Sequence, residues 1–187
     1  MDKPSSEAFA SKGGIMADTL VLVRGLPGSG KTSFALHCIE GRSDYVYVSA
    51  DQYFTNDHGI YKFDPLKLPD AHSWCARRVR AHIENPHLST VYLANTFSMR
   101  WEMQPYFNIA QSYEQGRIRV YVVDLYDGGM TDGQLALRNQ HDVPKKTIEN
   151  MRARWEHDWS DANPRKPAKY WADARKRRKR DARNRKT

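Results

Sequence analysis

A glycine-rich octapeptide at residues 25–32 limits the possible folds of this chain more than any other segment. Its sequence, Gly-Leu-Pro-Gly-Ser-Gly-Lys-Thr, matches the pattern Gly-x-x-x-x-Gly-Lys-Ser/Thr at every fixed position. A continuous apolar run at residues 19–24 precedes it, as expected of a buried parallel strand, and residues 31–40 have the pattern of a helix ending at Gly41. A strand, a glycine-rich turn and a helix in this order predict a parallel α/β domain with a phosphate-binding loop.

The residue types of this loop suit the polyphosphate of ATP together with Mg²⁺. Glycines allow successive backbone N–H groups to point at phosphate oxygens, and the N-terminus of the following helix adds its dipole. We expect the ammonium of Lys31 to reach the β- and γ-phosphates and the hydroxyl of Thr32 to ligate Mg²⁺. The alternative is a glycine-rich turn without a ligand. The predicted ATP-binding residues are Gly25, Leu26, Pro27, Gly28, Ser29, Gly30, Lys31 and Thr32.

Strand and helix patterns alternate along the rest of the chain. The further strand-like segments are residues 45–49, 90–95 and 118–124. The further helical patterns are residues 64–85, 101–115 and 131–139 and a segment that begins at Pro144. This alternation predicts βαβ units and hence an α/β fold, namely a P-loop NTPase or kinase three-layer sandwich with a mainly parallel sheet. We also predict a helical lid and a basic C-terminal tail that is either disordered or helical.

An acidic residue follows the second predicted strand. In a parallel sheet, Asp51 would lie at the carboxyl edge, beside the phosphate-binding loop. A carboxylate there can accept the proton of an attacking hydroxyl and help to hold the metal. We therefore predict Asp51 to be both catalytic base and Mg²⁺ ligand, with a simple turn cap as the alternative.

The end of the third predicted strand argues against a motor or a switch. Such proteins usually have an Asp at the end of a later strand, whereas the run at residues 91–94 is followed by Asn95 and Thr96. The chain also lacks the Asn-Lys-x-Asp element that reads guanine. We therefore favour a kinase, and we expect Tyr53, Asn95 and Thr96 on the substrate side of its site.

A phosphoryl transferase must also exclude water from its site. A mobile helical lid with an arginine that neutralises transition-state charge achieves this. Arg138 lies C-terminal to the fourth predicted strand, where such a lid is expected, and we predict it to be catalytic. The alternative is an exposed helix arginine without a role.

Positive charge is concentrated at the C-terminal end. Residues 165–187 contain twelve Lys/Arg and two Asp, a net charge of +10, so the rest of the chain carries −2 of the total of +8. Such a run attracts polyanions, nucleic acid above all, although a solvated tail or a nuclear-import signal is the alternative. We divide the chain into a flexible leader at 1–18, a kinase domain at 19–159 and a basic tail at 160–187.

Neither a membrane contact nor a metal cluster is indicated by composition. No apolar run approaches the ~18 residues that a span needs, and residues 1–18 lack the apolar core of a secretory signal. Cys38 and Cys75 have no partner at metal-ligand spacing. We expect a cytoplasmic protein with reduced thiols, in the host cytoplasm if it is viral; the oligomeric state is left open.

Several short segments together resemble one family. They are residues 22–32, 49–51, 63–65, 71–72, 95–96, 101–103, 138–141 and 154–158. With these segments the chain resembles, over about residues 19–159, the polynucleotide-kinase branch of the P-loop kinases. It is most similar to the small stand-alone form of animal ubiquitin-ligase-binding proteins and many phages. The resemblance implies that Asp51 is the base for the accepting hydroxyl and that Arg138 is the lid arginine.

The sequence departs from this family at two places. The family strand usually ends in Asp-Asn-Thr, whereas this chain has Ala94, Asn95 and Thr96, which shifts more of the metal binding to Thr32 and Asp51. Polynucleotide kinases also tend to have a basic residue shortly after the acid, whereas residues 52–54 are Gln, Tyr and Phe. A clamp for an end phosphate is therefore not evident here.

The acceptor hydroxyl is left with several alternatives. The chain also resembles phage kinases that phosphorylate 5-hydroxymethyluracil within DNA. The basic tail, which binds without regard to sequence, and the lack of an accompanying phosphatase or ligase domain favour that acceptor over a 5′-hydroxyl end. A small-molecule or nucleoside kinase and a non-catalytic nucleotide-binding module are further alternatives, the latter favoured by Ala94.

Overall fold

A four-stranded parallel sheet organises the part of the chain that the computed structural model describes, residues 17–114 and 117–157. The strands are β1 (Thr19–Arg24), β2 (Tyr45–Val48), β3 (Thr90–Ala94) and β4 (Arg119–Asp124). They pair in the order β2-β3-β1-β4, all in parallel. Because β1 lies between β3 and β4, the loop that follows β1 opens into the crevice at the carboxyl edge where the strand order reverses.

Helices cover both faces of this sheet. They are α1 (Lys31–Ile39), α2 (Leu68–Ile83), α3 (Gln104–Gln111), α4 (Asp132–Arg138) and α5 (Lys145–Ala153). Short 3₁₀ turns lie at Ala50–Phe54, Pro65–Lys67 and Arg100–Glu102. Helix α1 packs on one face of the sheet, while α2 and α3 pack on the other. The described residues therefore form the predicted three-layer α/β sandwich, and the fold class is confirmed.

The central strand explains why its sequence is apolar throughout. Successive side chains of a strand point to opposite faces. Leu20 and Leu22 belong to the cluster that contains α2 and α3, whereas Val21 and Val23 pack with α1. Burial on both faces leaves no position for a solvated polar residue, which is the usual situation of a parallel strand between two helical layers.

Helix α2 buries the stripe that its spacing predicted. Ala71, Cys75, Val79 and Ile83 are fully buried, while Leu68, in the first turn, is 39% exposed. Asp64 caps the preceding turn by accepting a hydrogen bond from the N–H of Leu66. The stripe holds α2 against β2 and β3, and so fixes the sheet edge from which the acid follows.

The predicted helix at 101–115 is divided in the structure. The turn Arg100–Glu102 is followed by α3, which begins at Gln104 and ends at Gln111. Pro105 occupies the first turn of α3, where its missing N–H removes no helical hydrogen bond. The proline therefore sets a new helix start inside the predicted one.

The packed body begins before residue 19. Ala17, which the sequence placed in the leader, is fully buried, and its N–H donates to the carbonyl of Ile83 over 3.0 Å. Asp18 forms an ion pair of 2.6 Å with Arg119. The rest of the predicted leader and the basic tail at 160–187 lie outside the described residues. Among the helices described, none combines the length and the apolar character needed to cross a bilayer.

Candidate active site

The phosphate-binding loop, residues 25–32, connects β1 to α1 and is closed by its own backbone. The N–H of Ser29 donates to the carbonyl of Leu26 over 3.0 Å. Gly28 and Gly30 have φ angles of 82° and 98°, which strain any residue with a side chain. Glycines in this conformation are what a concavity of anion-binding N–H groups requires.

Lys31 lies folded back over this loop. Its Nζ donates a hydrogen bond of 3.0 Å to the carbonyl of Leu26. Burial lowers the pKa of Lys31 to about 8, and the negative charge of Asp51 opposes that shift. The loop and the turn of Asp51 are both hydrogen-bonded to the end of β3, so the predicted acid and the loop lysine lie at one edge of the sheet. A phosphate bound in the loop would favour the charged form of the lysine.

Thr32 and Asp51 fit a metal that arrives with phosphates. The side chain of Thr32 is exposed, and its Oγ1 lies 3.4 Å from the hydroxyl of Tyr47. Within the described ranges there is no group of three His, Cys, Asp or Glu side chains able to hold a metal alone. Mg²⁺ is commonly bound by one or two protein oxygens and completed by phosphate and water. The donor set suits Mg²⁺ bound as a nucleotide complex, with Thr32 and Asp51 as its ligands by prediction.

Asp51 lies just after β2, in the turn Ala50–Phe54. The N–H of Ala50 donates to Oδ1 of Asn95 over 2.9 Å, which ties this turn to the end of β3. The side chain of Asp51 is 46% exposed, and its Oδ2 lies 3.5 Å from Nε2 of His141. An exposed carboxylate on a fixed turn is able to meet an acceptor hydroxyl, as a general base must.

The three predicted substrate residues occupy different environments. Asn95 is buried, and its amide contacts the Ala50 N–H and the Sγ of Cys75, the latter at 3.8 Å. The carbonyl of Thr96 accepts from the N–H of Gly25 over 3.2 Å. Tyr53 is half-buried and packs edge-on against two aromatic rings. Asn95 and Thr96 thus support the acid and the loop, and contact of the three residues with substrate stays a prediction.

The lid comprises α4, α5 and the connection between them, and it packs directly on the phosphate-binding loop. Leu26 of the loop forms a buried cluster with Leu135, Ile148 and Trp155. A Cβ atom at Gly28 would collide with the carbonyl of Leu135. Gly28 is therefore needed for two reasons, its left-handed backbone and the close approach of α4.

Arg152 holds the two ends of the lid together. From α5 it donates to Asp132 at the start of α4 over 2.7 Å, to the hydroxyl of Tyr126 over 3.0 Å and to the carbonyl of Met130 over 2.9 Å. It also pairs with Asp127. Hydrogen bonding to Asp127, above all, raises the pKa of Arg152. The donors of Arg152 are engaged by these protein acceptors, so Arg152 has a structural role and holds α5 against the start of α4.

Arg138 lies in the last turn of α4, as the sequence predicted. Its side chain is exposed, and no hydrogen bond or ion pair is recorded for it within residues 17–114 and 117–157. A guanidinium without a structural partner is able to contact a nucleotide phosphate, so its catalytic role stays a prediction.

A second arginine was missed by the sequence reasoning. Arg24, the last residue of β1, is fully buried and donates to the carbonyl of Glu156 over 3.0 Å. Its guanidinium lies 4.2 Å from the ring of Trp155 and 3.5 Å from Asp124. It thereby fastens the segment after α5 beside the phosphate-binding loop. The only signal was an arginine that ends an otherwise apolar strand.

His141 and Tyr61 were also given no role by the sequence reasoning. The connection between α4 and α5 places His141 against Asp51, and the rings of His141 and Tyr61 lie 4.2 Å apart. Burial and the charge of Asp51 raise the pKa of Tyr61 to about 12, so its phenol stays neutral. His141 stands within the resemblance segment 138–141, which was its only sequence signal. Asp51, Tyr61, Asn95 and His141 are called the acid site below.

The sheet order, the loop and the lid define a nucleotide-binding P-loop domain of the kinase-like type. The match of a family model narrows this class. The chain belongs to a family of AAA domains (AAA_33), whose model matches residues 20–157. Human NEDD4-binding protein 2 is 33% identical over 150 residues, which are 80% of this chain and 8% of that protein. The chain thus spans less than a tenth of that relative.

Solved structures share the fold at lower identity. One chain of the Pnkp1/Rnl/Hen1 RNA repair complex is similar with a TM-score of 0.58 and 20% identity, over 78% of this chain and 46% of that chain. Kti12 from Chaetomium thermophilum, solved in complex with ADP-AlF3, is similar with a TM-score of 0.51 and 16% identity, over 79% and 86% of the two chains. At these identities the likeness concerns the fold alone.

Proposed function

We propose that this chain transfers the γ-phosphoryl group of ATP to a hydroxyl group of nucleic acid. The observation that carries the proposal is the place of Asp51: half-exposed, on a turn that is hydrogen-bonded, like the phosphate-binding loop, to the end of β3. A phosphate-binding lysine and an accessible carboxylate on one sheet edge are the parts that an in-line transfer to an alcohol requires. The alternative of a non-catalytic nucleotide-binding module was favoured by Ala94, where the family usually has an acidic residue. It is disfavoured because Asp51 supplies a carboxylate at the same sheet edge.

In the proposed reaction, the carboxylate of Asp51 takes the proton of the acceptor hydroxyl. The acceptor oxygen forms a bond to the γ-phosphorus, the bond from that phosphorus to the bridging oxygen breaks, and ADP leaves. Lys31 and the loop N–H groups stabilise charge on the phosphates, and Arg138 approaches from the lid. Thr32 and Asp51 would hold Mg²⁺, which supplies further neutralisation of phosphate charge when bound.

Nucleic acid is the acceptor class that best suits the charge of the chain. Residues 165–187 carry +10, and the remaining chain carries −2. A basic segment on an otherwise weakly acidic protein supports binding to a polyanion. Among nucleic-acid hydroxyls, we propose the hydroxymethyl group of 5-hydroxymethyluracil within DNA, since residues 52–54 offer no basic clamp for an end phosphate.

Radiolabelled ATP tests the acceptor. The protein is incubated with DNA that contains or lacks 5-hydroxymethyluracil, with 5′-hydroxyl oligonucleotides and with free nucleosides, and Lys31→Ala serves as the inactive control. Label in DNA only where the modified base is present supports the proposal. Label at 5′ ends favours the end kinase, label in nucleosides alone favours a small-molecule kinase, and no label with any acceptor contradicts phosphoryl transfer.

Removal of residues 165–187 tests the nucleic-acid assignment. Contacts to phosphates release counterions, so affinity should fall by about 0.9 log units per contact per log unit of salt. The truncated protein should show a shallower salt dependence and a higher KM for polymeric DNA, with turnover at saturation little changed. If the truncation changes the KM neither for polymeric DNA nor for nucleosides, the main support for a nucleic-acid acceptor is lost.

A further inference from the structure

The imidazole of His141 is held between the acid and an aromatic ring. Its Nε2 lies 3.5 Å from Oδ2 of Asp51, and its ring is tilted by 37° on Tyr61 at 4.2 Å. Its Nδ1 is buried and has no hydrogen-bond partner among residues 17–114 and 117–157. Within the same ranges no other hydrogen bond or ion pair of the Asp51 carboxylate is recorded. The two side chains are therefore each other's polar partner in the described part of the chain.

The connection that carries His141 is folded around Asn139. The Nδ2 of Asn139 donates to the carbonyls of Ala136 and Val143 over 2.7 Å and 3.3 Å, and its Oδ1 accepts from the N–H of Val143 over 2.7 Å. Asp142 has a φ of 52°, a left-handed conformation that Asp tolerates better than most residues. These bonds close the connection into a small ring, so local structure sets the position of His141 within the lid.

Tyr61, on the other side of the imidazole, is fixed to the segment that carries Asp51. It forms a β-bridge with Thr55 and lies 6.2 Å from the ring of Phe54, in an edge-on arrangement. Phe54 and Thr55 lie at the end of the Asp51 turn. The imidazole of His141, from the lid, thus contacts both the carboxylate of Asp51 and the ring of Tyr61, which belong to one segment.

From this geometry we infer that His141 is a positioning residue for Asp51. In the closed lid, its Nε2 edge faces one carboxylate oxygen at 3.5 Å and orients the group, which leaves the lone pairs of the other oxygen for the acceptor proton and the proposed Mg²⁺ contact. Asp51 is still 46% exposed with His141 in place, so the contact orients the acid without covering it. The inference rests on the proposed phosphoryl transfer.

This arrangement links lid closure to the chemistry. His141 lies beside Asp51 in a structure in which α4 also packs on the phosphate-binding loop, with Leu135 against Gly28, so we expect lid opening to separate His141 from the acid. The base is then oriented only in the state that excludes water. An acid that turns freely in the open state is a poorer base for water, which limits the waste of ATP.

A double-mutant cycle tests this role. His141→Ala should lower turnover at saturating ATP and acceptor by about 10- to 100-fold, with smaller changes in the KM of the acceptor and the Kd of ATP. In the Asp51→Asn background the same change should cost less than about twofold, because the group that it positions is already gone. Gln140→Ala, exposed in the same connection, is the matched control and should keep wild-type turnover.

The conservative variant separates positioning from packing. His141→Gln places an amide nitrogen near the position of Nε2 and should recover most of the turnover that His141→Ala loses, whereas a role in packing against Tyr61 would leave both variants impaired. If His141→Ala does not fold, His141→Phe, which keeps a ring against Tyr61 and lacks Nε2, takes its place in the cycle and in the comparison with His141→Gln. Turnover of His141→Ala within twofold of wild type, or an equal loss in both backgrounds, overturns the inference.

A measurement without turnover checks the contact itself. In the NMR spectrum of the imidazole groups, Asp51→Asn should shift the resonances of His141 and leave those of His72, exposed on α2, in place. No shift at His141 overturns the contact. If wild type and His141→Ala transfer phosphate at the same rate, the inference is contradicted and the proposed function is not. If wild type transfers no phosphate to any acceptor, the proposed function is contradicted, and so is the inference that rests on it.

Discussion

The phosphate-binding loop and the acid site differ in how their residues are held. The loop consists of consecutive residues, and the N–H of Ser29 and the ammonium of Lys31 both donate to the carbonyl of Leu26, while the N–H groups of Gly25 and Leu26 donate to Thr96 and Tyr126. The acid site draws on three segments: the turn after β2 with the β-bridge from Thr55 to Tyr61, the end of β3 and the lid. The functional groups of one site therefore come from a single stretch of chain, while those of the other meet only when the sheet and the lid are assembled.

This difference predicts how each site responds to mutation. A change of Lys31 should remove a ligand contact and leave the fold intact, since its one recorded hydrogen bond is to the carbonyl of Leu26. A change in the acid site should alter turnover together with stability or lid closure, because its residues also hold segments together. The variants below test that contrast, in order of decreasing effect on turnover.

Lys31→Ala should abolish phosphoryl transfer, since the γ-phosphate loses its main point charge. The melting temperature without nucleotide should not fall. Burial destabilises the charged lysine in the wild-type protein, as its pKa of about 8 indicates, and the substitution removes that cost. The rise in melting temperature on addition of ATP should disappear, as shown by thermal unfolding with and without ATP·Mg²⁺. Lys67→Ala, an exposed lysine, is the control. Near-normal turnover of Lys31→Ala would mean that residues 25–32 do not bind the transferred phosphate.

The same lysine predicts a pH dependence of stability. Its pKa is about 8 in the folded protein and near 10.5 in the unfolded chain, so between these values the unfolded state binds more protons. The free energy of unfolding of the nucleotide-free protein should therefore gain a contribution that increases from about pH 8 to pH 10.5. Denaturant titrations of wild type and Lys31→Ala over this range measure it as a difference. Identical pH dependence of the two proteins would contradict the shift.

Asp51→Asn should lower turnover by about 10²- to 10⁴-fold while ATP affinity changes much less, because the amide keeps the shape and cannot accept the proton. Asp57→Asn, exposed in the nearby loop, should have no effect. Steady-state kinetics and ATP titrations distinguish the outcomes. Loss of ATP binding would make Asp51 chiefly a metal ligand, and unchanged turnover would leave it as a turn cap.

The contrast between the two sites also explains what could be predicted from sequence. Residues 25–32 act through local backbone geometry, so their pattern was enough to predict the loop, the strand before it and the helix after it. The stripe from Ala71 to Ile83 was visible for the same reason, since helical spacing is local. The contact of His141 with Asp51 depends on how the lid packs, and no local pattern contains that information. Arg24 was missed because its burial depends on Trp155, far along the chain.

Arg138→Ala should slow the chemical step by about 10²-fold at saturating substrates, the scale of one lost donor to transition-state charge. Because Arg138 is exposed without a recorded partner in the described ranges, the melting temperature and DNA affinity should stay at wild-type values. Leu137→Ala, 89% exposed on the same helix, is the matched control. Single-turnover kinetics measure the step directly. An unchanged rate in Arg138→Ala would assign the arginine to the solvated surface of α4.

Asn95→Ala should have the smallest effect on turnover and a clear effect on stability. Its amide accepts from the buried N–H of Ala50, and removal of that acceptor should cost about 1–3 kcal/mol of the free energy of unfolding. The turn that carries Asp51 would remain but be less firmly placed, so turnover should fall only by about threefold to tenfold, with the KM of the acceptor unchanged. Denaturant unfolding and steady-state kinetics on one preparation separate this from a contact with substrate, which would raise that KM and leave stability as it was. Asn108→Ala, an exposed amide on α3, should change neither quantity. An Asn95→Ala protein of wild-type stability with a raised acceptor KM would show that Asn95 contacts substrate and does not support Asp51. A residue of the acid site would then respond to mutation as Lys31 does, by losing a ligand contact while the fold stays intact.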